Sequence, residues 1–447
     1  MQADLPALTA ALLDAARRAG AEAADAMAVA GTAIGIDVRD GRLEQAERSE
    51  GVEVGLRVLM GRRQACVSAS DTAPATFAAM AERAVAMARE APEDPSVGLA
   101  DPADLARDRG AALELDDPGP EPGAAALEAD ARAAEAAARE AAGITRIDQA
   151  SAGYSRRAIW LAASNGFQGG YARTSRSVSC VAITGEGTGM ERDWAAESRV
   201  WQADLPPPET VGRLAAERTL ARAGARKPPT GAFPVLYDER VAGSLIGHLL
   251  AAINGAAIAR GGSWARDLLG AQVLPAGLDV TEDPLRPRIA GSRPFDAEGL
   301  ATRRRRIVAD GVLTGWVLDL ATGRKLGLPS TANATRGTSA PPSPGTSNID
   351  LTQGTASRED LIRAMGRGLV VTSMLGAAIN PTTGDYSRGA AGFWVEGGEV
   401  AYPVNECTIA GSLPEMLRRI VPANDARPHL ATRVPSLLVE GLTIAGA

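Results

Sequence analysis

In the first half of this chain an amphipathic helix followed by long alternating strands about a tight turn occurs twice. The first copy opens with "LPALTAALLDAARRAG" and runs into "TAIGIDVRDGRLEQAERSEGVEVGLRVLMGRRQACVSAS", where apolar and polar residues alternate as along a half-buried strand. Asp40-Gly41 lies between two such runs, and this dipeptide suits a two-residue hairpin turn. An antiparallel meander is therefore expected, closed by a second helix over "ATFAAMAERAVAMAREA". Residues 92–123 then crowd Pro, Asp and Gly and read as a linker.

The second copy starts at "GAAALEADARAAEAAAREAAG", rich in good helix formers but poor in large apolar groups. It continues in "RAIWLAASNGFQGGYARTSRSVSCVAITGEG", which alternates about Asn165-Gly166. The matching order of elements points to a duplicated unit, although identity between the copies is weak. After the linker-like "ARAGARKPPTG" a different pattern begins near residue 230. The expected class is α+β, with an N-terminal α+β domain over 1–91, the linker over 92–123 and a second helix-plus-meander unit over 124–225. A mostly β C-terminal domain with a few helices is expected over 230–447.

Composition narrows the function classes. With 447 residues and 45% apolar content, the chain can fill more than one core. Lys+Arg of 47 against Asp+Glu of 54 gives a formal net charge of −7, an acidic balance that repels phosphate backbones and argues against general nucleic-acid binding. Cys66, Cys180 and Cys407 are odd in number, far apart and outside any C-x-x-C pair, as expected of reduced thiols in a cytosolic protein. No basic region precedes an apolar run at the N-terminus, so no export signal is expected. Val241 to Ala259 carries no formal charge, but Ser244, His248, Asn254 and three glycines inside it would be costly in lipid, and no membrane span is expected.

That same stretch, "GSLIGHLLAAINGAAIARGGSW", holds His248, one of two histidines; the other is His429. At helical spacing Val241, Leu245, Leu249 and Ile253 form a core stripe. Gly243, Gly247, Ala251 and Gly255 form a second stripe with almost no side chains, where another backbone could pack closely. His248 shares its line with Ser244, Ala252 and Ala256. A helical zinc site needs a second ligand about one turn away, and hydrolysis needs a carboxylate to take water's proton; neither stands there. A helix histidine bonded to backbone or water is one reading, and a ligand completed from elsewhere by His429 is the other.

Other stretches read as scaffold. Arg303 to Arg306 precede the hairpin turn Asp310-Gly311, so alternate arginines face opposite sides of a solvated strand and do not make a DNA patch. "STANATRGTSAPPSPGTSN" is polar and rich in Pro, Ser and Thr, and reads as a surface loop. "GDYSRGAAGFWVEGGEVAYPV" is a strand pair about Gly397-Gly398, and Ser412 and Glu415 after it are spaced as a capping box. Its small residues Gly389, Ala390, Ala391 and Gly392 leave room for another backbone. Neither a G-x-x-x-x-G-K-S/T phosphate loop nor a G-x-S-x-G elbow occurs.

Three long phrases carry a family resemblance: "GSRPFDAEGLATRRRRIVADGVLTGWVLD", "NPTTGDYSRGAAGFWVEGGEVAYPVNECTIAGSLPEML" and "PSLLVEGLTIAG". Through them the chain resembles the PmbA (TldE) branch of the TldD/PmbA family, historically called modulators of DNA gyrase. The resemblance covers almost the whole chain and is strongest from about residue 230 onward. It implies a partnership in which a TldD-type subunit and a TldE-type subunit together cleave unfolded peptides in the cytoplasm. In TldD-type subunits it implies a metal site, formed by H-E-x-x-x-H on the helix matching Gly243 to Trp264 and a Cys near the C-terminus. This chain departs from that pattern: Leu249 stands at the Glu position, Ile253 at the second His position, and "ARPHLATRVPSLLVEG" has no Cys.

The expected function is accordingly a non-catalytic TldE/PmbA-type subunit that shapes a peptide cavity. No cofactor is expected in this chain; zinc or a similar metal is expected in the TldD-type partner of a heterodimer, with a homodimer as the alternative when the chain is alone. Arg293, Arg303, Arg388, Gly389, Ala391 and Gly392 are the expected peptide contacts, since small strand residues admit an added strand and arginines bond carbonyls. The rival readings are a self-contained metal-dependent hydrolase using His248 and His429, and a non-enzymatic partner of DNA gyrase.

Overall fold

Two copies of one α-β-β-β-α unit build a single six-stranded sheet in a computed structural model that describes residues 3–107 and 110–446. The first copy comprises α1 (Leu5–Arg18), β1 (Ala23–Arg39), β2 (Arg42–Met60), β3 (Arg63–Ala69) and α2 (Pro74–Glu90). The second comprises α3 (Ala124–Arg139), β4 (Ile144–Ala163), β5 (Gln168–Thr184), β6 (Glu191–Arg199) and α4 (Pro208–Ala221). Strand order is β3-β2-β1-β4-β5-β6, so the copies meet through their first strands, antiparallel from Asp25 opposite Ala163 to Val38 opposite Ala150. The two N-terminal units thus share one sheet. α1 and α2 close a core over Ala26, Val54, Leu56 and Val58; α3 and α4 close another over Ile147, Val178 and Cys180. Small side chains suffice on α3 because α4 packs almost onto its backbone, where a Cβ on Gly212 would collide with the Ala134 carbonyl.

The two hairpin turns differ. Asp40 and Gly41 both take positive φ, 54° and 66°, as a two-residue primed turn requires. In the second copy only Gly166 does, at 96°, and residues 164–167 separate the strands. Asn165 there donates its side-chain amide to the Ala100 carbonyl, tying the turn to the 92–123 segment.

In the C-terminal half β7 (Gly231–Tyr237) leads into α5 (Glu239–Ala252). Asn254 then caps α6 (Gly255–Ala259), so the uncharged stretch is two short helices. Among the described residues no helix is long and apolar enough to cross a membrane. The remaining elements are β8 (Val280–Glu282), β9 (Arg305–Ala309), β10 (Val312–Leu313), α7 (Leu320–Leu326), β11 (Ala334–Thr335), β12 (Ser343–Pro344), β13 (Ile349–Leu351) and α8 (Arg358–Met365). They continue with β14 (Gly368–Ile379), β15 (Asp385–Glu396), β16 (Glu399–Ser412), α9 (Leu413–Leu417), β17 (Val421–Pro422), β18 (Thr432–Arg433) and β19 (Leu437–Ala445). One sheet runs β16-β15-β14-β7-β19-β17, with β16 also pairing β19; another runs β10-β9-β8-β13-β18. Leu245, Ile246, Leu249 and Ile253 are fully buried in a core shared with Val280 and Val308 of the five-stranded sheet and Val371 and Ile409 of the six-stranded one. The whole is a mixed α+β architecture with a β-rich C-terminal half.

Three local expectations are corrected. Ser412 does not cap α9 with its side chain; it is the last residue of β16, paired with Asp385, and the sheet sets its geometry. The Asp310-Gly311 turn forms, but β9 begins only at Arg305, whose Nε donates to buried Glu282 at 3.0 Å, while Arg303, Arg304 and Arg306 are all exposed. The polar stretch 330–348 is not a surface loop: Asn333, Thr338 and Asn348 are 1%, 6% and 0% exposed. Asn333 donates to Glu282 at 2.8 Å, Arg336 pairs with Asp25 of β1, and the Thr338 hydroxyl donates to Glu53 of β2. This segment is a strap between the two halves, held by these side-chain bonds, although Asn333 Oδ1, Arg336 Nε and Asn348 Oδ1 stay buried without a partner.

Candidate functional site

α5 presents His248 to β15. Its ring meets Tyr386 edge to face at 5.9 Å between centroids, and its Nε2 is buried with no hydrogen-bond partner. Burial first, and then the positive charge of Arg388, hold its pKa below the ordinary histidine value, which favours neutral imidazole. Arg388 is itself fixed, donating Nε to the Gly376 carbonyl at 2.7 Å. Leu249 and Ile253 are fully buried among aliphatic side chains. One imidazole facing a guanidinium does not fit a metal dication, which needs several anionic or neutral donors. Among the described residues no group of three or more His, Cys, Asp and Glu could hold an ion.

His429 sits in a different environment. Its Nε2 lies 3.3 Å from Glu197 of β6, a carboxylate that accepts from Arg199 at 2.7 Å and Arg427 at 3.3 Å. Arg427 donates further to Glu239 of α5 at 2.8 Å, and Arg240 beside it reaches Asp193 of β6 at 3.4 Å. His429 therefore belongs to an ionic network joining the first sheet to the C-terminal half, and His248 to the packing of α5 on β15.

The expected peptide contacts do not form one site. Arg293 is buried and donates to the carbonyls of Ala334 at 3.0 Å and Gly345 at 2.9 Å, so it anchors the strap. Arg303 is exposed ahead of β9. Arg388, Gly389, Ala391 and Gly392 share β15, which is hydrogen-bonded to β14 on one side and β16 on the other. That strand has no free edge for main-chain pairing along Gly389 to Gly392. A Cβ on Gly392 would collide with the Val370 carbonyl, so the neighbouring backbone that these small residues admit is β14. The small stripe of α5 behaves in the opposite way: Gly243, Gly247 and Ala251 line a cleft of about 330 Å³ with Gly345, Thr346 and Thr432. A Cβ on Gly247 would meet nothing within 4 Å, so no backbone packs on it.

Sequence reasoning passed over the buried acids Asp296 and Glu298. Asp296 accepts the backbone N–H groups of Glu298 at 2.9 Å, Leu300 at 3.0 Å and Ala334 at 3.0 Å, and Glu298 accepts that of Leu320 at 2.9 Å. Burial and then neighbouring Asp296 push Glu298 up to about 8. Two acids in a Gly-containing loop look solvated in sequence; only the strap and α7 packed over them bury them.

Three family models match the chain: PmbA/TldA metallopeptidase domain 1 over residues 24–88, the central domain over 117–223 and the C-terminal domain over 230–446. The metalloprotease PmbA of Escherichia coli O157:H7 is 38% identical over 416 residues, covering 93% of this chain and 90% of that protein. A metalloprotease PmbA homolog of Haemophilus influenzae is 32% identical over 443 residues, covering 96% and 94%. A Bacteroides thetaiotaomicron crystal structure, described as a candidate modulator of DNA gyrase, superposes with a TM-score of 0.89 at 26% identity, covering 99% of each chain. TldE from Thermococcus kodakarensis shares the fold, with a TM-score of 0.86 at 20% identity over 97% of this chain and 99% of that one.

Proposed function

This chain belongs to the PmbA/TldD metallopeptidase family, and from that premise we propose that it is a TldE/PmbA-type subunit with no metal of its own. In this reading it joins a TldD-type subunit in the cytoplasm and helps wall the cavity in which that partner hydrolyses unfolded peptides. The state of α5 carries the proposal. Leu249 and Ile253 are sealed in the core, and His248 has a guanidinium near it in place of a second ligand or a water-activating carboxylate. Of the expected peptide contacts, Arg303 and Arg388 keep access to solvent and are the ones offered to peptide carbonyls.

The name of the relatives, metalloprotease, favours a second reading in which this chain is itself the hydrolase. Metal analysis and a peptide-cleavage assay on this chain, on a TldD-type partner and on the reconstituted pair separate the two. The subunit reading expects no stoichiometric metal in this chain and cleavage only with the partner present. About one tightly held transition metal per chain, lost together with stand-alone cleavage on His248→Ala, establishes the second reading instead.

A further inference from the structure

Between the first sheet and the C-terminal half lies a cavity of about 290 Å³ whose lining includes Arg157, Arg173, Arg293 and Arg336. Their charge is poorly compensated. Arg173 of β5 is mostly buried, donates Nη2 to the Ser292 carbonyl, and leaves Nε without a partner. Burial pulls its pKa down, and the neighbouring charges of Arg293 and Arg157 pull it the same way against Tyr171. Arg293 donates to two carbonyls, leaves Nε without a partner, and has Asp296 as its neighbouring carboxylate. Arg157 is exposed at the rim and forms no ion pair among the described residues. Arg336 has Asp25, but that carboxylate also serves Arg57.

Asp296 is the one acid lining the cavity among the described residues, and both its oxygens already accept backbone N–H groups. Burial raises its pKa, against the pull of those N–H groups and of Arg293. Guanidiniums held out of water without anions are costly, and an incoming anion relieves that cost. The remaining wall is apolar and aromatic, from Ile159, Leu161 and the edge-to-face pair Tyr171 and Phe295, whose centroids are 5.6 Å apart. The volume sits at the lower end of small-molecule sites, roughly 300–1,000 Å³.

We propose that this cavity binds a small organic oxyanion, a carboxylate or phosphate carried on one apolar or aromatic group. The head is held by the guanidiniums of Arg157 and Arg173, which match a planar or tetrahedral oxyanion with paired N–H donors. The tail lies against Tyr171 and Phe295. This site is separate from α5 and does not depend on the subunit reading.

Isothermal titration of the purified full chain with N-acetyl-phenylalanine, with its neutral amide and with phenyl phosphate tests the proposal. At least one anion is expected to bind saturably and roughly tenfold or more tighter than the amide. Preference for the acid assigns a carboxylate ligand, and preference for phenyl phosphate assigns a phosphate. Arg157→Gln, whose exposed side chain has no partner among the described residues to lose, is expected to weaken binding roughly tenfold at unchanged Tm. Arg173→Gln is expected to abolish it; if that variant does not fold, Arg157→Gln decides. Binding of neither anion more tightly than the amide, no saturable binding of either anion up to about 10 mM, or undiminished binding by Arg157→Gln overturns the proposal.

Discussion

Arg336 and Asp25 form an ion pair across 311 positions of sequence, with side chains only 1% and 4% exposed. Asp25 also accepts from Arg57 Nε at 2.7 Å, so one carboxylate of β1 holds a cation from β2 and another from the strap. Burial alone would raise the Asp25 pKa, but Arg336 and Arg57 outweigh it and hold it below the ordinary value. A lowered folded pKa means stability that is present above the unfolded value and lost as pH falls through the folded one. Acid should therefore loosen the joint between the two halves.

Asp25→Asn leaves two buried guanidiniums without an anion and is expected to destabilise the protein by about 3–5 kcal/mol, read from urea denaturation. It should also flatten the acid limb of the stability profile. Arg336→Met leaves Asp25 paired with Arg57 and is expected to cost less. A neutral Asp25→Asn would show that the triad contributes nothing to holding the strap.

Glu298 carries the opposite sign. Its folded pKa, raised to about 8 from 4.5, makes its contribution complete below the unfolded value and lost as pH rises through the folded one. Glu298→Gln keeps an acceptor for the Leu320 N–H and removes the titration. The variant should gain Tm over the parent between pH 5 and pH 8.5, the gap widening with pH, in thermal denaturation followed by circular dichroism. Parallel curves would mean that Glu298 titrates as an ordinary carboxylate.

Chemistry confined to a few neighbouring residues was legible in the sequence. Asp40-Gly41 encodes its own turn because both residues tolerate positive φ. The alternation expected of a half-buried strand does not describe β2, which is exposed over Arg42–Gly51 and buried over Val54–Leu59. The pairing of β1 with β4 was not legible, since the partners lie more than a hundred residues apart and each strand alone suits many neighbours. The strap was misread because Ser, Thr, Asn and Arg report a need for hydrogen bonds, which the interior supplied through Glu282, Glu53 and Asp25. At the site, α5 and the isolation of His248 were readable from spacing. The dispersal of Arg293, Arg303 and Arg388 was not, because their surroundings come from segments distant in sequence.

Gly55 tests how tightly the strap seats. A Cβ there would collide with the backbone of Thr338, whereas one on Gly51 of the same strand would meet nothing within 4 Å. Gly55→Ala is expected to displace the strap, cost roughly 2 kcal/mol or more and open residues 330–348 to limited proteolysis. Gly51→Ala should be neutral or slightly stabilising. Similar effects from both would place the cost in the strand and not in the docking.

The pattern that α5 lacks cannot be restored by substitution alone. Leu249 and Ile253 are both 0% exposed, packed with Val280, Val308 and Ile409. Leu249→Glu combined with Ile253→His therefore puts a carboxylate and an imidazole into an aliphatic core, at a cost of several kcal/mol. The double variant is expected to lose most of its Tm and to gain no thermal protection from added zinc. A real site would show such protection, because a ligand bound only to the folded state raises Tm with its concentration. Zinc-dependent stabilisation that disappears on His248→Ala would mean that the helix can turn these positions toward His248, and that two residue identities alone separate it from such a site. Without it, the packing itself excludes the motif: the face completing it is the face that holds α5 between the two sheets.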